Sequence, residues 1–423
     1  MPMRSRGKTK IRGERTVAAL DVGSSKVAAL IAITGPDDPE PRIIGSHQMS
    51  CAGVKNGIVV DLAATEHAIR QTVDKAERSA DTVIEDIVVG VSAGGLDSDV
   101  VPVEVEIGGQ RIEQGDIDLV HHQGRAEIDP GERTILHAAP ALYTIDGQGA
   151  VMNPLGLHAK TLGAAIHIVS ADTAPLRNLD TAVRSADLNI SAIVAAPLAS
   201  ARSALSKEER EVGVALVEIG AGVTNVAVFA QNLLAGFSSI PMGGADVTED
   251  VANALGTPRI AAERLKALKG SASALPRDNH EMIDVPCISE QGEIRRRPRA
   301  ELVHAIRGRL DILFSEVEDR FDEIGFHGPR ANQVVLTGGG AALAGIADYA
   351  EGVLGRHVRV GAPRGIADLP EAQQGSAFTT LTGLLRYAAD DEPSPWEEGL
   401  AVHRPQRGRS AVARMIHMLR ASF

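Results

Sequence analysis

The chain has 423 residues, enough for two or more domains with substantial cores. Hydrophobic residues make up 44% and charged residues 23%, a globular balance, while 3% aromatics argue against a stacking platform for single-stranded nucleic acid. The net charge of −12 disfavours nucleic acid as the main partner, but it is unevenly spread: residues 1–15 and 404–423 each sum to +5, so −12 less that +10 leaves −22 on the body. Both ends are therefore suited to anionic surfaces that the body avoids. The two cysteines, Cys51 and Cys287, form neither a disulfide framework nor a metal cluster and point to a reducing cytoplasm. The basic N-terminus lacks an apolar core, so no secretory signal is expected, and no run of about 18 apolar residues is available to span a membrane.

Residues 1–15 read as a disordered basic arm. An apolar strand then runs into Asp21-Val22-Gly23-Ser24-Ser25-Lys26, and a second strand, Val27 to Ile33, runs out. Gly23 permits a tight turn and close backbone approach, and the turn's N–H groups make a concave donor set for phosphate oxygens. Ser24 and Ser25 add hydroxyls, Lys26 adds a charge, and Asp21 could hold a hydrated cation; a plain β-hairpin with a polar turn fits the stretch alone equally well. Next come a strand from Ile43 to Ala52, a helix from Asp61 to Arg78 and a buried strand from Ile87 to Ser92. Residues 93–170 change to short strands, including Val100 to Ile107 and Ala141 to Ile145, around a helix from Gly115 to Ala126. This is the pattern of a small α+β insert in a larger α/β body. His121-His122 lacks a third ligand at metal spacing and reads as a solvated helix face.

After a helix (Thr173 to Ala186), a strand (Ile190 to Ala195) and a helix (Leu198 to Leu205), the opening pattern returns. Ala215-Leu-Val-Glu-Ile-Gly220 matches Ala18-Ala-Leu-Asp-Val-Gly23, each with a carboxylate two residues before the glycine. This implies two halves on one plan, each offering a phosphate turn. In the stretch from Val334 to Ile346 a buried strand meets Gly338-Gly339-Gly340 and is expected to open a helix whose N-terminus seats a phosphate or nucleotide. It is neither a P-loop nor a full dinucleotide fingerprint. Between these, residues 245–329 form a second small subdomain. Its helix Arg259 to Lys269 carries Glu263 and Lys266, either contacts to a ribose or base edge or a surface salt bridge. A long helix follows from Glu301 to Phe321. Arg295-Arg296-Arg297-Pro298-Arg299 before it is either a site for an acidic peptide or anion, or a solvated helix entrance. Residues 390–409 read as a flexible linker. From Ser410 to Phe423, Val412, Met415, Ile416, Leu419 and Phe423 share a helical face flanked by Arg414 and Arg420. That cationic amphipathic helix suits an anionic bilayer surface, with docking on the body or a partner as the other reading.

The tandem hairpins and the strand–triple-glycine motif resemble the superfamily of actin, heat-shock chaperone ATPases and sugar kinases. Within it, Ala139-Pro-Ala-Leu-Tyr-Thr-Ile-Asp146, Met152-Asn-Pro-Leu-Gly156, Leu162 and His167-Ile-Val169 resemble the insert of the bacterial cell-division family FtsA, and the amphipathic tail fits the same family. The resemblance implies an actin-like α/β fold of two related domains around a nucleotide cleft. Its subdomains would be 1A over 16–92, 171–206 and 371–389, the insert 1C over 93–170, 2A over 207–244 and 330–370, and 2B over 245–329. It implies ATP and Mg²⁺, with phosphates held by Asp21, Gly23, Ser24, Ser25, Lys26, Glu218, Gly220, Gly222, Thr224, Asn225, Gly243 and Gly244. Adenosine would lie by Glu263, Lys266, Gly338, Gly339, Gly340 and Leu343, and Asp21 and Glu218 would hold Mg²⁺ through water. Partners implied are further copies in a filament, the anionic cytoplasmic membrane at the division septum, later division proteins through the insert, and the C-terminal peptide of FtsZ. For that peptide, Arg295, Arg296, Arg297, Arg299 and Arg309 are the candidate contacts; nucleic acid is not an expected partner. Two departures stand out: the family usually has Asp where Glu218 stands, and the turn Val194 to Ser200 lacks a Gln or Glu to orient water, so slow or absent hydrolysis is expected. Related alternatives are a PilM-like pilus-assembly protein and a small-molecule kinase.

Overall fold

The computed structural model describes residues 14–35, 40–92, 95–127, 131–151, 153–288 and 293–390. The basic arm up to residue 13, Met152, the linker beyond Asp390 and the amphipathic stretch 410–423 lie outside the described residues.

Two five-stranded sheets dominate, and they share one plan. In the first, Arg42–Ser50, Lys26–Thr34 and Arg15–Val22 form an antiparallel meander, and Asp86–Val91 and Asn189–Ala195 extend it in parallel. In the second, Leu233–Ile240, Thr224–Ala230 and Val214–Ile219 form the meander, and Gln333–Thr337 and His357–Val360 extend it in parallel. The internal repeat thus has a topological counterpart, strand for strand.

The central strands are apolar throughout because helices cover both faces of the sheet. Alternate residues of Arg15–Val22 enter different cores: Ala18, Leu20 and Val22 pack with Ile69 and Val73, whereas Val17 and Ala19 pack with Leu381, Leu384 and Leu385. The helix Leu62–Ala80 supplies the first layer; Asp61 caps it by accepting the Ala64 N–H at 2.9 Å. The helices Ala196–Ala204 and Thr379–Ala389 supply the second and cross between the halves. They pass so closely that a Cβ on Gly383 would lie 1.8 Å from the Ala199 carbonyl oxygen. Val214, Leu216 and Val335 of the second sheet join Ala201, Ala204 and Leu205 in one continuous core, so the halves share apolar contacts as well.

The insert is a four-stranded antiparallel sheet in the order Asp97–Glu106, Thr161–Asp172, Arg133–Ile145, Gln148–Val151, with Gln114–Glu127 packed on it. Arg133–Ile145 is much longer than the short strand expected from Ala141. It reaches back to the body, where His137 Nε2 accepts the Ala195 N–H at 3.0 Å, just before the helix Ala196–Ala204. The other small lobe holds the hairpin Met282–Pro286/Ile294–Pro298 and the helices Arg259–Lys269 and Arg299–Ile324. Leu302, Ile306, Leu310, Leu313, Val317 and Phe321 of the long helix are all buried, as its apolar spacing requires. No helix among the described residues is long and apolar enough to cross a membrane.

His167, buried in the insert sheet, and partly buried His137 are both held down to a pKa of about 4, by burial in each case and for His137 also by Arg202. These depressed values mean that the unfolded chain takes up protons first, near pH 6.5, so stability is complete above that pH and falls as pH drops toward 4. Replacing His137 by Gln, which keeps an acceptor but does not titrate, should cost little at pH 7.5 and recover on the order of 1 kcal/mol relative to the parent at pH 4.5. Urea unfolding at the two pH values checks this.

Candidate functional site

The two glycine turns are built alike. The Gly23 N–H donates to the Lys26 carbonyl at 2.9 Å, and the Gly220 N–H donates to the Val223 carbonyl at 2.9 Å. Each closes the hairpin next to a carboxylate-bearing strand end, Asp21 in one half and Glu218 in the other. The carboxylates lie in one field. Burial raises the Asp21 pKa to about 6, the Glu218 charge raises it further, and Lys26 opposes the shift. Lys26 is itself pushed down by burial, and its ammonium lies 3.7 Å from the centroid of the Phe378 ring.

Glu218 is held by both halves. Its Oε1 accepts from Ser200 Oγ at 2.7 Å and from Thr380 Oγ1, while Oε2 accepts from Asn225 Nδ2 at 2.9 Å. Asn225 also donates to Ser92 Oγ at 2.8 Å and accepts from Ser239 Oγ at 2.8 Å. Ser200 and Thr380 belong to the two crossing helices; Glu218 and Asn225 belong to the second sheet. Three donors on a carboxylate with about four acceptor sites leave one direction for a cation-bound water. Asp21 is the less committed carboxylate, so a cation between the turns fits it better. No group of three or more His, Cys, Asp or Glu side chains poised for a metal occurs among the described residues.

A third turn lies between the other two. Asn56 and Gly57, both at positive φ, join the short strands Val54–Lys55 and Ile58–Val59. The Gly57 N–H donates to Ser24 Oγ at 2.7 Å, and a Cβ on Gly222 would come within 2.6 Å of Asn56 Oδ1. Gly222 is therefore required by this contact. Ser25, exposed, accepts the Cys51 N–H through its carbonyl. In the second half, Thr224 Oγ1 donates to the Met242 carbonyl at 2.8 Å, and the helix Gly244–Leu255 begins against the turn. Its Gly244 and Ala245 N–H groups donate to the carbonyls of Gly220 and Ala221 at 2.9 and 2.7 Å, and the Gly243 N–H to Asp246.

The expected adenosine groups converge on this helix start. Lys266 Nζ donates to the Gly244 carbonyl at 2.7 Å, to Thr248 Oγ1 at 2.7 Å and to Glu263 at 2.8 Å, and Thr248 also donates to Glu263. The pair is thus more than a surface bridge: it pins Arg259–Lys269 to Gly244–Leu255. The triple glycine corrects the sequence expectation. It opens a 3₁₀ turn, Gly339–Ala342, ending at Leu343, and the α-helix starts only at Ile346. Gly338 at φ +81° and Gly345 at φ +74° break the path, so the helix N-terminus lies beside Ser273, away from the glycines. A Cβ on Gly338 or Gly340 would lie 2.4 or 2.3 Å from Ile219 atoms, whereas at Gly339 it would meet only Ala377 at 4.0 Å. Two glycines seat the turn on the second sheet and the middle one faces open space.

The arginines proposed for an acidic peptide are each paired within their own lobe: Arg295 with Glu293, Arg296 with Asp284, Arg297 with Glu301, Arg299 with Asp278, and Arg309 with Asp250 at 2.7 and 2.9 Å. A groove of about 550 Å³ opens beside them instead, between Ala274–Asn279 and the first turns of the long helix, with His304 and Arg307 in its wall. The Arg307 guanidinium lies 5.0 Å from the Tyr349 ring centroid. Asn56, Ser200, Thr380 and Arg307 gave no motif-level signal; each matters only through partners distant in sequence.

Duplicated sheets, crossing helices and facing turns define an actin-like protein. Solved structures agree: the "PilM-PilN type IV pilus biogenesis complex" matches with a TM-score of 0.62 at 18% identity, covering 88% of this chain and 98% of that chain. The "MamK double helical filament" matches with a TM-score of 0.52 at 12% identity, covering 89% and 99%. Family models place the chain more narrowly. "Cell division protein FtsA" matches residues 215–383, and "SHS2 domain inserted in FTSA" matches residues 94–170. The FtsA of Rhizobium meliloti is 35% identical over 96% of this chain and 95% of its own length. That of Escherichia coli is 30% identical over 90% and 92%. The chain belongs to the FtsA family of cell division proteins.

The Glu218 clasp yields a direct prediction. Shortening it by Glu218→Asp withdraws the carboxylate from Ser200 and Thr380 or from Asn225 and leaves a buried polar group unsatisfied. A loss of about 1–3 kcal/mol in urea unfolding is expected, recovered in neither Ser200→Ala nor Thr380→Val backgrounds.

Proposed function

We propose that this protein binds ATP with Mg²⁺ between its glycine turns, assembles into filaments on the cytoplasmic membrane at the division septum, and holds FtsZ there, helping to recruit later division proteins. The observation that carries the reading is the facing pair of turns, with Asp21 and Glu218 sharing one field. Turn N–H groups, Ser24 and Lys26 would bind phosphate, competing with Gly57 for the Ser24 hydroxyl. Asp21 would hold the cation, which neutralises phosphate charge when bound. Gly339, Lys266 and Glu263 would border the adenosine. Residues 16–92, 171–206 and 371–389 form one half in this reading, 207–244 and 330–370 the other, and 245–329 the lobe that takes the FtsZ peptide.

Nucleotide here serves as a structural ligand. The turn Val194–Ser200 offers Ser200 as its one hydroxyl, and that hydroxyl is already given to Glu218. Nothing on that turn is placed to hold a water in line, so turnover is slow. Attachment rests on the pattern of Val412, Met415, Ile416, Leu419 and Phe423 between Arg414 and Arg420. Single-copy binding of this kind is weak, and a filament multiplies it.

Liposome pelleting tests the whole. Full-length protein should sediment with anionic vesicles, more so with ATP, and a chain ending at Arg409 should stay in the supernatant. Tail-independent pelleting, or unassisted hydrolysis of many ATP per minute by the same sample, would overturn the reading. A second experiment addresses the groove: Arg307→Glu should weaken binding of an acidic FtsZ C-terminal peptide by about tenfold, while Arg296→Glu, already paired and exposed, should change it less than about twofold. Fluorescence anisotropy of a labelled peptide reads both.

A further inference from the structure

The helix Thr379–Ala389 ends beside a concentration of arginines that belongs to neither the cleft nor the peptide groove. Arg386 donates to the carbonyls of Arg202 and Arg364. Arg202 pairs with Asp390, and its guanidinium lies 5.0 Å from the Tyr387 ring centroid. Arg359 is occupied by a two-pronged pair with Glu209 at 2.7 and 2.8 Å. Arg210, half-buried on Lys207–Val212, feels the charges of Arg386 and Arg202, which together with burial lower its pKa. Its Nε is buried without a hydrogen-bond partner among the described residues. The carboxylates that face the cluster are few: Glu209 is committed to Arg359, Asp390 to Arg202, and Glu40 acts on Arg386 from further away. Like charges gathered around a half-buried guanidinium are unfavourable unless an anion approaches, and this one sits on a body whose overall charge is strongly negative.

The chain supplies such an anion at the right place. Continuing from Asp390, residues 391–398 read Asp-Glu-Pro-Ser-Pro-Trp-Glu-Glu, with four carboxylates and no Lys or Arg; the next cation is Arg404. We propose that residues 391–398 fold back as an acidic strap over Arg202, Arg210, Arg364 and Arg386. The Asp390–Arg202 pair is the first contact of that strap, already made. Eight residues reach at most about 28 Å, enough to cross a cluster linked by direct contacts. Pro393 and Pro395 narrow the free segment's conformations and so lower the cost of ordering it. Trp396 can lie on a guanidinium face as Tyr387 lies on Arg202. The strap has a mechanical effect. With it seated, the spacer between body and amphipathic stretch shrinks from residues 391–409 to 399–409. The r.m.s. span of the spacer falls from about 25 Å to about 18 Å. It also keeps four carboxylates away from whatever anionic surface the basic end meets.

Trp396 is the chain's one tryptophan, so its fluorescence reports the strap without a label. Acrylamide quenching of the full-length protein, without nucleotide or lipid, is the experiment. At low salt, quenching should be about twofold weaker than in the variant Asp391→Asn/Glu392→Gln/Glu397→Gln/Glu398→Gln; about 0.5 M NaCl should remove the difference. Arg364→Glu, on an exposed side chain, should raise quenching part of the way, with unchanged urea unfolding showing that the body is intact. Equal quenching of parent and neutralised variant at low salt would overturn the proposal. So would shielding that persists through both salt and neutralisation, because the tryptophan would then be docked by apolar contact alone.

Discussion

Much of this architecture turns on one buried carboxylate. Glu218 ends a strand of the second sheet, yet two of its three donors, Ser200 and Thr380, come from helices that pack on the first. Removing a carboxylate from water is costly, and the cost is offset only while all three donors stay in place. The network therefore ties together the sheet that carries the second glycine turn, the helix that follows the last strand of the first sheet, and the C-terminal helix. A shorter Asp at this position could not span the same distance between Asn225 and the helix hydroxyls, which gives the extra methylene of Glu218 a structural reason. The same charge also reaches Asp21, so the clasp and the cleft share their electrostatics.

The duplicated plan was legible because its signal is local. Alternating apolar residues that end on a carboxylate–x–glycine turn mark a covered hairpin, and finding the pattern twice implied two like sheets. The helix Arg259–Lys269 and the long helix from Arg299 were likewise readable from apolar spacing. The stretch after the triple glycine was not. Its composition suits a helix, but Gly338 and Gly345 both adopt positive φ, and their need for it arises from packing against Ile219 and Ser273, which no local pattern records.

Pairing was the other blind spot. A run of arginines looks available for an outside anion until the partners are placed: Asp250 lies 59 residues from Arg309, and Asp278 lies 21 from Arg299. Conversely, Arg202, Arg210, Arg364 and Arg386 are scattered through the chain and show no cluster in sequence, yet the fold gathers them at one helix end. Charge density on a surface is thus poorly read from charge density along a chain. Ser24 makes the same point for the cleft: it was recognisable as a turn hydroxyl, but its engagement by Gly57 depends on a small hairpin whose importance comes wholly from where it lands.

The crossing of Ala196–Ala204 over Thr379–Ala389 at Gly383 carries a kinematic consequence. Backbone meets backbone there with no side chain between them, so translation of one helix along the other would run its neighbours, Ala199 and Leu384, into steric conflict. Rotation about the crossing point is the softer coordinate. The two lobes are accordingly geared like the blades of scissors on a rivet: a small twist at Gly383 becomes a large displacement at their tips, while the pivot itself stays put.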